Sequence, residues 1–183
     1  VMDGDFVPNL TFGPKFISNV RKFSNKVFDV HLMINRVERF LDDYIRAGSD
    51  IITFHIEINE DIENIIKKIK AKGIKCGLAI KPKTSWAEIQ PYLQHIDQVI
   101  IMTVEPGFGG QEFMNDQVDK IKNISNFIKL NNLRVGIEID GGINFETGQT
   151  CVEAGANILV AGSFLFNQGD LIAATNSLSD KFK

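Results

Sequence analysis

A chain of 183 residues with a net charge of −3, 44% hydrophobic and 23% charged, can bury one sizeable core and is read as one domain, 1–183. The charge provides no basic footprint for nucleic acid, and the longest apolar run, VIIMTV at 99–104, is strand-sized rather than membrane-spanning. Cys76 and Cys151 form no CxxC and no cluster with histidine, so they read as reduced, buried thiols of a cytoplasmic protein.

In chain order, Val1-Met2 reads as the end of a strand, followed at once by the turn DGD. Strand-length apolar runs then lie at 27–33, 50–57, 74–80, 98–104, 134–140 and 157–162. Between and after them the spacing predicts helices over 35–47, 60–72, 84–95, 115–131, 145–154 and 170–182. Asn59-Glu60-Asp61 and Thr84-Ser85 offer N-cap oxygens. Gly48, Gly73 and Gly155 each close a helix before a strand. AGSDII at 47–52 and AGANIL at 154–159 repeat one pattern of helix end, glycine, polar residue and strand.

Alternation of β and α along the whole chain means α/β, and strands apolar on both faces suit a parallel sheet covered by helices. A doubly wound sheet would carry GxGxxG after its first strand, and none is present. A (β/α)8 TIM barrel explains why the chemically interesting residues fall at strand C-terminal ends. Six complete units are visible, however, and complete barrels run to about 250 residues, or about 200 at the small end. The expected architecture is therefore a barrel lacking its first βα unit and most of strand 2, with Val1-Met2 the end of that strand.

Several strand ends carry chemistry. His31 and Met33 share one side of their strand; His31 fits either a core histidine or a metal ligand or acid-base group. Asp140 ends GIEID ahead of Gly141-Gly142 and fits a ligand, a catalytic base or a helix cap. EPGFGGQ at 105–111 places Gly107, Gly109 and Gly110 around Phe108, where backbone N–H groups can approach an anion closely. Gly162-Ser163 ends the last strand, and in barrels phosphate commonly sits on the last two loops. The sets 107–110, 141–142 and 162–163 are thus candidates for one phosphate site. Met2, Met33 and Met102 are either core filler or an apolar lid at one barrel mouth. His55 and Glu57 also lie late in a strand. Lys81 reads as an ion-pair partner rather than a Schiff-base lysine, and Glu138 as an inward carboxyl needing a partner.

MDGDFVPNLTFGP, FDVHLM, MTVEPGFGGQ, IEIDGGI and AGANILVAGS together resemble the ribulose-phosphate 3-epimerase family, in the right order over the whole chain. The resemblance implies a (β/α)8 barrel that interconverts D-ribulose 5-phosphate and D-xylulose 5-phosphate. It implies one divalent ion (zinc, iron, manganese or cobalt) held by two histidines and two aspartates. His31 matches the second histidine; Asp140 matches the second aspartate and one of the two acid-base residues. Gly107 to Gly110, Gly141 with Gly142, and Gly162 with Ser163 match the phosphate-binding positions, and Met2, Met33 and Met102 the methionines beside the substrate.

The resemblance also places a His-x-Asp, carrying the first histidine and first aspartate, just before Val1, and reads Asp3 as a loop residue. On this reading the 183 residues alone are expected to be inactive. The alternatives are an epimerase for a six-carbon ketose phosphate such as allulose 6-phosphate, and a non-catalytic sugar-phosphate-binding remnant. A sugar phosphate is the expected partner, with no nucleic acid or membrane. A homo-oligomer and a lost N-terminal targeting segment are left open.

Overall fold

Isoleucine, valine and leucine stand on both faces of the predicted strands, so both faces need cover. In the computed structural model, which describes residues 1–182, six strands meet this need in one parallel sheet. In chain order and in spatial order they are β1 (Asp29–Leu32), β2 (Ile51–His55), β3 (Lys75–Ile80), β4 (Gln98–Met102), β5 (Gly136–Asp140) and β6 (Ile158–Val160). The helices are α1 (Pro14–Arg21), α2 (Val37–Arg46), α3 (Ile62–Ala71), α4 (Trp86–Ile89), α5 (Val118–Leu130), α6 (Phe145–Ala154), α7 (Ser163–Phe166) and α8 (Leu171–Lys181). The expected TIM-barrel class is present as a run of consecutive parallel βα units.

Register sorts the side chains into two layers. Leu32, Phe54, Leu78, Val99 and Ile137 are aligned across five strands and lie in the main core with Leu41, Ile65, Ile69, Ile89, Ile121 and Ile124 from the helices. Burying each such side chain contributes roughly 1.5–3 kcal/mol. The intervening row, His55, Ala79, Ile100 and Glu138, faces the other way. There a second apolar cluster joins Ala79 and Ile100 to Val7, Met33, Met102 and Val104, with Met2 and Phe6 against it.

Capping follows the sequence. Asp61 accepts from Asn64 N at the start of α3, and Ser85 with Glu88 forms a capping box on α4. Gly48, Gly73 and Gly155 adopt the left-handed conformation that ends a helix without a Cβ penalty. The predicted helix 84–95 is shorter: α4 passes into a 3-10 turn at Gln90–Tyr92, because Pro91 has no N–H to continue the ladder. Helix α1, unpredicted, begins with proline at its first turn and buries only Ile17.

Val1 and Met2 lie alongside β1. Val1 N donates to His31 O (2.7 Å), Met33 N donates to Val1 O (2.8 Å), and Met2 bridges Met33 in parallel. β6 ends the ladder on the opposite side. Exposed apolar side chains flank both ends, Phe16 beside β1 and Phe166 and Ile172 after β6. Among the described residues no helix is long and apolar enough to cross a membrane.

Candidate active site

Parallel strands bring their C-terminal ends to one rim, so residues distant in sequence meet there. His31 on β1 and Asp140 at the end of β5 face each other, with His31 Nδ1 and Asp140 Oδ2 3.4 Å apart and both side chains partly exposed. Asp140 is no helix cap: Asn144 caps α6, accepting from Glu146 N and Thr147 N while Thr147 Oγ1 accepts from Asn144 N. The cap alternative for Asp140 is thereby removed.

Behind His31 lies a polar chain. His31 Nε2 is 2.9 Å from His55 Nε2, and His55 Nδ1 is 3.0 Å from Glu57 Oε2. The two rings meet edge to edge, their planes 23° apart and their centroids 4.9 Å apart. Burial, against the pull of Glu57, drives the His55 imidazole down to about 4, so it is neutral at pH 7. Burial alone would raise Glu57. Hydrogen bonds from His55, from the Thr84 hydroxyl and from Lys81 N outweigh it and hold the carboxyl down to about 2. Lys81 departs from expectation: its Nζ lies 3.7 Å from the Phe6 ring centroid, a cation–π contact in place of an ion pair. Deeper in the barrel, Gln98 Nε2 donates to both Glu138 Oε2 (2.7 Å) and Asp29 Oδ2 (2.6 Å). Burial, reinforced by Asp29, pushes the Glu138 carboxyl well above its usual range.

The loop after Met2 closes over this rim. Asp3 accepts from Asp5 N and Phe6 N with one oxygen and from Asn35 N with the other. Burial opposes its charge, yet these donors keep its carboxyl below the usual range. Asp3 is thus a loop-organising residue, in agreement with its sequence reading. Phe6 is carried onto the His55 ring at 4.8 Å. Asn9 Nδ2 donates to Gly107 O (2.9 Å), seating the 105–111 loop, and Gln111 Nε2 ties that loop through Glu105 O and Phe108 O. Gly109 and Gly110 have open space on the Cβ side, and Phe108 is exposed.

Gly107–Gly110, Gly141–Gly142 and Gly162–Ser163 follow β4, β5 and β6, which are neighbours in the sheet. Thr103 Oγ1 donates to Gly141 O (2.6 Å), and Gly142 opens on a groove of about 480 Å³ with Gln111 and Asn144. Gly162 precedes α7, whose first residue is Ser163. Met2, Met33 and Met102 come together in the inner apolar cluster, Met33 and Met102 buried.

For a divalent ion, the described residues supply no group of three histidine, cysteine or carboxylate ligands. His31 and Asp140 supply two donors. Their 3.4 Å separation fits two ligands that each approach one ion to about 2.0–2.2 Å. Two donors alone hold such an ion weakly. The sequence places His55 and Glu57 late in a strand but does not link them to His31. Their H-x-E spacing, with His55 the last residue of β2 and Glu57 two residues beyond it, is the signal that could have done so.

Known proteins bear on this geometry. The profile of the Ribulose-phosphate 3 epimerase family matches residues 1–166. The ribulose-phosphate 3-epimerase of Bacillus subtilis is 41% identical over 171 residues, 93% of this chain and 79% of that protein. The Rhodobacter capsulatus protein of the same name is 43% identical over 171 residues, covering 93% and 74%. Among solved structures, a 3-hexulose-6-phosphate synthase superposes with a TM-score of 0.70 at 18% identity over 93% of this chain and 81% of that one, a likeness of fold. With a family profile spanning 166 residues and relatives above 40% identity, this chain belongs to the ribulose-phosphate 3-epimerase family of isomerases.

Proposed function

We propose that Asp140 and His31 are the working centre of a 3-epimerase that interconverts D-ribulose 5-phosphate and D-xylulose 5-phosphate. The observation that carries the reading is the 3.4 Å approach of His31 Nδ1 to Asp140 Oδ2 at the rim of the barrel, beside the methionine cluster and three glycine turns.

The reaction removes the C3 proton next to the C2 carbonyl and returns a proton to the opposite face, through a cis-enediolate. Asp140 serves one face as acid and base; the other face needs a second proton carrier. This family is generally metal-dependent; His31 and Asp140 would contribute to holding the ion, with zinc, iron, manganese and cobalt as the candidates. When bound, the ion balances negative charge on the two enediolate oxygens. Met2, Met33 and Met102 give the sugar a soft apolar wall that limits water near the acidic C–H. Backbone N–H groups of Gly107 to Gly110, of Gly141 and Gly142, and of Gly162 and Ser163 receive the phosphate. The free, buried thiols of Cys76 and Cys151 support a cytoplasmic setting. Relatives named for ribulose-phosphate favour the five-carbon substrate over a six-carbon one.

The test assays ribulose 5-phosphate with the enzyme extended at its front by the expected His-x-Asp segment, taken as the wild type, and with the same protein carrying Gly109→Val. Xylulose 5-phosphate forms with the wild type. The variant raises KM about tenfold or more with kcat little changed, because its new side chain stands where backbone must approach an oxyanion. A Cβ at Gly109 would meet nothing within 4 Å, and an unchanged melting curve checks that the fold is retained. No conversion by the wild type contradicts the function, and an unchanged KM moves the phosphate elsewhere.

A further inference from the structure

We propose that Glu57 and His55 are positioning residues whose hydrogen bonds fix the tautomer of His31, presenting its Nδ1 as an unprotonated ligand nitrogen beside Asp140. The ligand half of this inference rests on the metal role proposed above; the tautomer half stands on geometry alone.

The direction of each proton follows from what every group can donate. An ionised carboxylate only accepts hydrogen bonds. Glu57 Oε1 accepts from Lys81 N and Thr84 Oγ1, and Oε2 faces His55 Nδ1 at 3.0 Å. The proton in that last contact therefore belongs to His55 Nδ1. A neutral imidazole protonated at Nδ1 has its lone pair on Nε2, and His55 is fully buried. His55 Nε2 lies 2.9 Å from His31 Nε2. Two lone pairs cannot meet at that distance, so His31 carries its proton on Nε2. A ligand nitrogen must offer a lone pair, and with Nε2 carrying the proton only Nδ1 can offer one, 3.4 Å from Asp140 Oδ2. Two acceptors facing each other this way make a place for a cation to lie between them. The two imidazole planes lie within 23° of each other and Phe6 packs tilted against the His55 ring, which keeps both rings aligned for the relay. Second partners of this kind raise ligand basicity and orient the ring, and losing one typically costs about 10–100-fold in metal affinity.

Glu57→Gln tests the relay because it changes proton direction with little change of shape. The amide oxygen can still accept from Lys81 N and Thr84, while the NH2 now donates to His55 Nδ1. His55 must then hold its proton on Nε2 and donate to His31, which moves the His31 proton to Nδ1. Imidazole 15N spectra of the metal-free protein are expected to show Nε2–H at His31 and Nδ1–H at His55 in the wild type. Both reverse in Glu57→Gln. Zinc alone, titrated as the probe into the enzyme that includes the expected His-x-Asp segment, should bind the Glu57→Gln variant about 10–100-fold more weakly than that wild type, with Glu57→Asp recovering much of the loss and circular dichroism unchanged. The wild-type spectrum decides the tautomer even where the variant does not fold. Nδ1–H at His31 in the wild type, or tautomers indifferent to Glu57→Gln, overturns the relay. Correct tautomers with equal zinc affinity in both proteins overturn the ligand half, as does a wild type that binds no zinc, which also contradicts the proposed metal role.

Discussion

In the enzyme extended at its front by the expected His-x-Asp segment, Asp140→Asn lowers turnover of ribulose 5-phosphate by at least about 10²-fold, within the range of about 10²–10⁴ typical of a general acid-base group. Asparagine keeps the shape of the side chain and can still accept a hydrogen bond, but it cannot take and return a proton. The change also weakens one of the two donors facing each other across 3.4 Å. The fold should survive, because Asp140 is partly exposed and the capping of α6 is done by Asn144. Steady-state kinetics beside a melting curve separate the two effects. A loss below about tenfold with unchanged stability would leave Asp140 without the catalytic role assigned to it.

Gly141→Ala is expected to cost stability rather than chemistry alone. Gly141 has φ +132°, and a Cβ there would stand 2.6 Å from Val104 Cγ2 and 2.9 Å from Val104 N. Backbone strain of this kind costs about 1–3 kcal/mol, and forcing an atom into a packed site costs about 1–3 kcal/mol more. Val104 is buried in the inner cluster and cannot move away freely. Denaturant unfolding should therefore show a loss of about 2–6 kcal/mol, against nearly none for Gly109→Ala, whose Cβ meets nothing within 4 Å. Equal stabilities for the two variants would mean that the 141–142 turn can shift to admit a side chain.

Short-range chemistry makes much of the fold legible in the sequence. Apolar runs of strand length, N-cap oxygens at Asp61 and Ser85, and glycines at helix ends are local signals, and the six strands and their order follow from them. Side-chain parity puts His31 and Met33 on one face, and the strand-end positions of His31 and Asp140 mark them for the same rim. Contact across the sheet is not legible in the same way. His31, His55 and Asp140 lie on three strands, and only register and sheet curvature decide that His31 lies between the other two. Lys81 differs from its expected role for a similar reason. Its partner Phe6 reaches it because Asp3, 3 residues earlier in the chain, is bonded to Asn35 N across the rim. Helix α1 gives a weak signal because only Ile17 among its residues is buried while Phe16 and Val20 are exposed, which blurs the apolar stripe. The break at Pro91 is visible as a residue but is outweighed by helical spacing on either side.

The central claim is that His31 and Asp140 work through a divalent ion at C3 of the sugar. The most direct measurement is turnover of ribulose 5-phosphate by the enzyme that includes the expected His-x-Asp segment, before exhaustive chelation, after it, and after re-addition of single divalent ions. Chelation should abolish epimerisation and a divalent ion should restore it, with a higher ion concentration needed for His31→Ala than for the wild type. Full turnover by metal-free enzyme, or an ion requirement indifferent to His31, would contradict the account.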